Sequence, residues 1–224
     1  MRIRKLLAEF VGSALLVAAI VGSGVMATRL STDKGVQLLF NAFSTVLALG
    51  VLIYIFSGMS GAHFNPLITI NEIVGKRISI NSGSLYLLVQ FAGGICGVAL
   101  ANLMFDLPAI NSSHNFRQGN QLLLGEIVAT AGLLLIVELL RIQSKSSAVS
   151  IIVPAWIGAA YLFTSSTSFA NPSVTFSRMW SDTFSGISPS SGVKFILAQL
   201  CGAIIGIALA SLFTDSSTKL RERL

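Results

Sequence analysis

Two stretches of this chain run longer without a charge than one membrane crossing needs. Gly35 to Asn71 holds 37 uncharged residues and Ser146 to Ser177 holds 32, against roughly 20 for a spanning helix. Each must contain a span and something more. Near the end of each stands an Asn-Pro pair, Asn65-Pro66 and Asn171-Pro172, preceded by helix-poor sequence: Ser57-Gly58-Met59-Ser60-Gly61 and Thr164-Ser165-Ser166-Thr167-Ser168. Asn is favoured as a helix N-cap and Pro at the first helical position. Each pair therefore predicts the start of a short helix, near 65–75 and 171–181.

The remaining composition points the same way. Of 224 residues 53% are hydrophobic and 11% charged, where a soluble domain carries roughly 25% charged. The net charge of +6 suggests a polyanion binder only until the basic residues are placed: they flank apolar runs and form no patch, so nucleic acid is excluded. Cys96 and Cys201 lie inside apolar segments, which leaves no disulfide framework and no CxxC pair. The opening Met1-Arg2-Ile3-Arg4-Lys5 resembles a signal peptide, but Glu9 interrupts the apolar run, and it is read as the first span.

The chain also repeats itself. A shift of 109 residues makes 8 of the 16 positions from Gln90 to Phe105 identical to those from Gln199. A shift of 106 overlays the two Asn-Pro pairs, and a shift of 117 overlays Ala8-Glu9-Phe10-Val11 on Gly125-Glu126-Ile127-Val128. Spans are expected near 6–28, 36–57, 84–105, 121–142, 148–164 and 193–213. Three spans per half invert the second half relative to the first. The loops then divide the basic residues ten to five: Arg2, Arg4, Lys5, Lys76, Arg77, Arg141, Lys145, Lys219, Arg221 and Arg223 against Arg29, Lys34, Arg117, Arg178 and Lys194. The positive-inside rule places both termini in the cytoplasm. Gly93/Gly97 and Gly202/Gly206 are GxxxG pairs that allow close helix approach, whether within the subunit or between subunits.

Non-helical backbone at membrane depth survives only when buried in protein or lining a wet cavity. Two inverted short helices would aim their N-termini at the midplane, each equivalent to roughly +0.5 charge. Cations would be disfavoured there, while the Asn65 and Asn171 amides donate to passing neutral molecules and freed carbonyls of Gly58–Phe64 and Ser165–Ala170 form an acceptor ladder. Glu9 and Glu126 lie one turn inside spans, where a carboxylate is costly. They are read as acceptors for the broken backbone nearby, or alternatively as the working groups of a proton-coupled transporter. His114, in Asn111-Ser112-Ser113-His114-Asn115, is expected to be solvated.

The two Asn-Pro pairs, the segment Ser60-Gly61-Ala62-His63-Phe64-Asn65-Pro66 and the paired openings Ala8-Glu9-Phe10 and Gly125-Glu126-Ile127 closely resemble the aquaporin (major intrinsic protein) family over nearly the whole chain. The resemblance implies an all-α membrane protein of six transmembrane helices and two re-entrant half-helices in an inverted repeat. It implies one channel domain over 1–224, with repeats at 1–105 and 121–213 and a cytoplasmic tail at 214–224. The implied function is a passive channel for water and small neutral solutes, homotetrameric, in a cell membrane, excluding ions and protons, with no cofactor, metal or catalytic residue. Asn65, Pro66, Asn171 and Pro172 would form the pore centre, with Glu9, Glu126 and His63 as structural supports.

The sequence departs from the family pattern at instructive places. The usual Asn-Pro-Ala continues here with Leu67 and Ser173, and the position three after the second Asn, commonly arginine, is Val174. Arg178, one turn on, is expected nearer the outer mouth. The family spacing makes Thr45, Ala159 and Ser168 the remaining filter residues, none aromatic. A wide, uncharged constriction would admit glycerol, urea-like solutes or undissociated metalloid acids besides water, as in bacterial relatives linked to arsenite movement. A closed-pore membrane scaffold is a further alternative; an enzyme is excluded because no nucleophile, base and orienting group cluster.

Overall fold

The computed structural model describes residues 2–213. The expected tail at 214–224, with Lys219, Arg221 and Arg223, lies outside the described residues, as does the side chain of Arg2. The described chain is all helical. In order come α1 (Arg2–Leu30), α2 (Lys34–Ser60), α3 (Pro66–Val74), α4 (Ile80–Met104), α5 (Asn120–Ile142), α6 (Val149–Phe163), α7 (Pro172–Arg178) and α8 (Pro189–Leu212), with a single 3-10 turn at Ser146–Ala148 before α6. Six helical segments are long and apolar enough to cross a membrane. The helix α7 is shorter than expected because the chain turns at Arg178, whose carbonyl accepts from Ile187 N at 3.2 Å.

Local chemistry explains the helix starts. Asp33, Ser79 and Ser188 have extended backbone and accept from the N–H of Val36, Ser82 and Ser191, satisfying donors that a first turn leaves orphaned. Asn65 and Asn171 do the same for α3 and α7, with proline at the first helical position.

Packing follows the repeat. In the first half α1 packs against α4 and α2; in the second α5 packs against α8 and α6; α2 on α6 and α7 on α4 join the halves. The GxxxG glycines make these contacts inside the subunit. A Cβ at Gly93 or Gly97 would collide with the carbonyls of Phe10 and Ala14, and one at Gly202 or Gly206 with those of Ile127 and Ala131. Backbones approach closely only where no side chain intervenes. Large apolar residues such as Leu39, Phe43, Leu47 and Ile204 face outward, as a lipid-facing surface requires.

Candidate functional site: a cavity between two opposed half-helices

The two half-helices meet head to head. Asn65 Oδ1 accepts from Leu67 N at 2.9 Å while its Nδ2 donates to the Ala170 carbonyl at 2.9 Å. Asn171 Oδ1 accepts from Ser173 N and Val174 N, and its Nδ2 donates to the Phe64 carbonyl at 2.8 Å. Each asparagine thus caps its own helix and clasps the residue that precedes the other. A side-chain amide carries two N–H bonds, so one remains in each case to face the cavity.

The segments leading into these caps are left-handed at non-glycine residues: Ala62 (φ 50°) and Phe64 (φ 48°) in the first, Ser168 (φ 50°) and Ala170 (φ 47°) in the second. Two fully buried carboxylates hold this strained backbone. Glu9 accepts from Ser60 Oγ (2.6 Å), His63 N (3.0 Å), Phe64 N (2.8 Å) and Gln90 Nε2 (2.8 Å). Glu126 accepts from Phe169 N (2.9 Å), Ala170 N (3.0 Å) and Gln199 Nε2 (2.6 Å). Gln90 and Gln199 also reach Thr69 and Thr175. His63 is fixed by Thr69 Oγ1 at 3.0 Å and by an edge contact with Tyr86.

A cavity of about 480 Å³ runs past these groups. Its wall comes from one stripe per helix at a spacing of four: Thr45, Leu49, Ile53 and Ser57 on α2; Leu133, Val137 and Arg141 on α5; Val149, Val153, Ile157 and Tyr161 on α6. Asn65, Asn171, Ile68, Val174 and Ser168 complete it from the half-helices and their leaders. The rise of α6 places Val149 and Tyr161 about 18 Å apart, so the cavity spans much of a bilayer's apolar thickness.

The two ends differ. At the end near Val149, Glu138 is 6% exposed and accepts from Arg77 Nη2 (2.8 Å), Arg141 Nη2 (2.8 Å) and Asn71 Nδ2, while Arg77 Nε pairs with Glu72 at 2.9 Å. This balanced cluster was not legible in the sequence, where Arg77 and Arg141 counted only as flanking charges. At the other end Thr45 Oγ1 lies 3.4 Å from Tyr161 Oη, and Phe169 and Arg178 join the wall.

Two expectations are corrected there. Ala159 is exposed and does not line the cavity; residues two apart on a helix point to opposite sides, and Tyr161 is the residue that faces inward. Arg178 is not at a solvated mouth: it is 2% exposed, lines the cavity, donates through Nε to the Ser185 carbonyl and stacks with Cζ 3.4 Å from the Phe169 ring centroid. This end of the cavity is therefore neither uncharged nor free of aromatics.

A second arginine arrives from the connector between α4 and α5. That segment is strapped down by Asn111 N to the Trp180 carbonyl, Ser113 N to the Met179 carbonyl and Ser188 N to the Asn115 carbonyl. His114 N and Nδ1 contact Asp182 at 2.8 and 2.9 Å, and these bonds hold the Asp182 carboxyl below its usual range. The strap carries Arg117 Cζ to 5.1 Å from the Phe169 ring centroid, and burial pushes its guanidinium below the usual arginine value. His114 itself is 79% exposed on its side chain.

Comparison with known proteins agrees with this architecture. Residues 1–170 match the family described as Major intrinsic protein. The chain is 43% identical over 206 residues to Aquaglyceroporin AqpS of Rhizobium meliloti (strain 1021), covering 92% of this chain and 88% of that protein. It is 33% identical over 159 residues to a probable TIP-type aquaporin of Medicago truncatula, covering 68% and 62%. The X-ray structure of the aquaglyceroporin from Plasmodium falciparum superposes with a TM-score of 0.69 at 19% identity, covering 100% of both chains. With its two opposed half-helices in an inverted six-span bundle, the chain belongs to the major intrinsic protein family, an integral membrane channel and not an enzyme.

Proposed function

We propose that the protein conducts water and small neutral solutes, namely glycerol, urea-like molecules and undissociated metalloid acids, passively and without coupling to protons. The observation that carries this reading is the continuous cavity of about 480 Å³ with a mostly apolar wall, passing two asparagine amides at its centre. A few convergent polar groups on an apolar wall suit a neutral solute that exchanges hydrogen bonds as it moves. Cations are excluded by the two half-helix N-termini and by Arg178 and Arg117. Glu9 and Glu126 have every oxygen engaged by fixed donors, which favours a structural duty over proton transport. Stopped-flow light scattering of proteoliposomes should show water, glycerol and urea fluxes that rise linearly with gradient and ignore a pH gradient. Saturable, pH-driven flux would establish a transporter instead, and flux equal to empty vesicles a closed scaffold.

The functional assembly is a homotetramer in the cell membrane with both termini cytoplasmic, a topology supported by the ten to five division of basic residues. Impermeant thiol reagents test it in a Cys96→Ser, Cys201→Ser background. Ser113 is 3% exposed, so the reporter belongs at the exposed Ser112, with Ser147 on the opposite side. Ser112→Cys should label on intact cells and Ser147→Cys only after lysis; the reverse would invert the topology.

A further inference from the structure

A second opening, of about 230 Å³, lies between the first turns of α1 and α4 and is lined by Lys5, Leu6, Arg77, Ser79, Ser82 and Tyr86. The inverted repeat supplies its counterpart. Shifts of 109 and 117 residues carry Ser79, Ser82 and Tyr86 onto Ser188, Ser191 and Phe195, and Lys5 and Leu6 onto Leu122 and Leu123. In both halves the two serines bond through their hydroxyls at 3.0 Å. In the second half the space is filled: Leu122 and Leu123 pack in one apolar cluster with Phe195, and Arg117 N donates to Ser191 Oγ at 3.0 Å. In the first half Lys5 stands in place of leucine, and among the described residues the Ser82 hydroxyl meets only Ser79. The opening stays unfilled.

Its wall carries no carboxylate. Glu9, one turn after Lys5, is filled by four donors, and Glu72 and Glu138 take the Arg77 guanidinium. Lys5 has no ion pair among the described residues. The free donors are thus an ammonium and a hydroxyl, at the level where two spans begin and lipid phosphates lie. Apolar surface adjoins them: Ile3, one turn before Leu6, and Ile80, next to Ser79, are exposed. We propose that this opening takes the phosphodiester headgroup of an anionic phospholipid from the adjoining leaflet, with Lys5 as its counter-charge, Ser82 as a hydroxyl donor and the acyl chains against Ile3 and Ile80. A soluble anion would have one exposed ammonium to hold it, which is weak in water; a lipid adds buried acyl surface. The chain's own residues 214–224 are a poorer match, since they set Lys219, Arg221 and Arg223 against Asp215 and Glu222.

Native mass spectrometry of the full chain in detergent, titrated with phosphatidylglycerol or with phosphatidylcholine of the same acyl chains, counts bound lipid directly. The wild type should hold phosphatidylglycerol about tenfold more tightly than phosphatidylcholine. Lys5→Gln should weaken phosphatidylglycerol about fivefold, the share of one basic side chain at a lipid surface, and Lys5→Glu should remove the preference. Ser82→Ala should weaken it about twofold. Lys145→Gln, at an exposed basic residue outside the opening, should change nothing. Equal affinity for the two lipids in wild type overturns the proposal, as does an equal loss in Lys5→Gln and Lys145→Gln, which would reduce the effect to the charge of the whole face. Displacement of the lipid by millimolar inorganic phosphate would give the opening to a soluble anion, and tighter lipid binding in Asp215→Asn/Glu222→Gln would give it to the tail; either result overturns the lipid assignment. Lys5 is exposed, so its variants should fold, and because bound lipid is counted without reference to conduction, this site and the channel reading fail separately.

Discussion

Glu9→Gln should reach the membrane in folded form at a small fraction of the wild-type level, while the flux per folded molecule stays close to wild type. Four donors converge on the Glu9 carboxylate. Glutamine keeps the size but offers one acceptor oxygen, and turns an NH2 group toward the N–H of His63 or Phe64. Charge-assisted bonds are worth about 1.5–3 kcal/mol each, so a loss of about 2 kcal/mol, or about 30-fold in the folded ratio, is a minimum. The left-handed Ala62 and Phe64 then lose the contact that over-determines them. Glu126→Gln should behave alike through Phe169 and Ala170. Quantitative size-exclusion yield and stopped-flow flux normalised to folded protein check both. Normal yield with abolished flux would move these residues from scaffold to transport chemistry.

Val174→Arg should depress glycerol flux by about 100-fold and water flux by about tenfold. Val174 is 3% exposed and part of the cavity wall, so a side chain several atoms longer must enter the solute path. It also sits four residues before Arg178 on one helix, where like charges repel. A barrier raised by about 3 kcal/mol for the larger solute corresponds to the 100-fold loss, and water, the smaller molecule, meets less of it. Charge exclusion should change little, since Arg178 and Arg117 already supply positive charge at this end. Proteoliposome permeabilities measured side by side decide the question. Equal losses for glycerol and water would place the selective constriction away from Val174.

The half-helices were legible because their signals are local. An Asn followed by Pro caps a helix wherever it stands, and the two pairs could be matched by a simple shift of the chain. The carboxylates Glu9 and Glu126 were legible for a related reason: a charge one turn inside an apolar span is expensive enough to require a partner, whatever the partner is. Six spans followed from apolar length alone, and the shifted identities around Gly93 and Gly202 marked the repeat.

Helix phase was not legible. Ala159 and Tyr161 are two residues apart in an apolar run, and nothing in that run says which faces a cavity, because lipid and a pore wall both accept apolar side chains. The i, i+4 stripe through Val149, Val153, Ile157 and Tyr161 is visible only once the neighbours of α6 are known. Arg178 looked like a mouth residue because it stands one turn beyond Val174; the Ser185 carbonyl and the Phe169 ring that bury it are near in sequence, but they reach it from irregular segments on either side of α7 whose course has no periodicity to read. Arg117 lies in a connector of irregular backbone with no periodicity to read, and Glu138 acquires its role from Arg77 and Asn71, more than sixty residues away.

The sequence by itself therefore determined a membrane chain of six spans, two capped half-helices, an inverted repeat and the carboxylates that support it, since apolar length, capping and the cost of a buried charge are local quantities. Only the tertiary structure decided which face of each helix lines the cavity, that the GxxxG glycines pack inside the subunit, and that Arg178, Tyr161 and Phe169 line the end of the cavity away from Val149. Those outcomes depend on which backbones approach one another, and in an apolar solvent that choice is made by close packing and paired polar groups rather than by hydrophobicity.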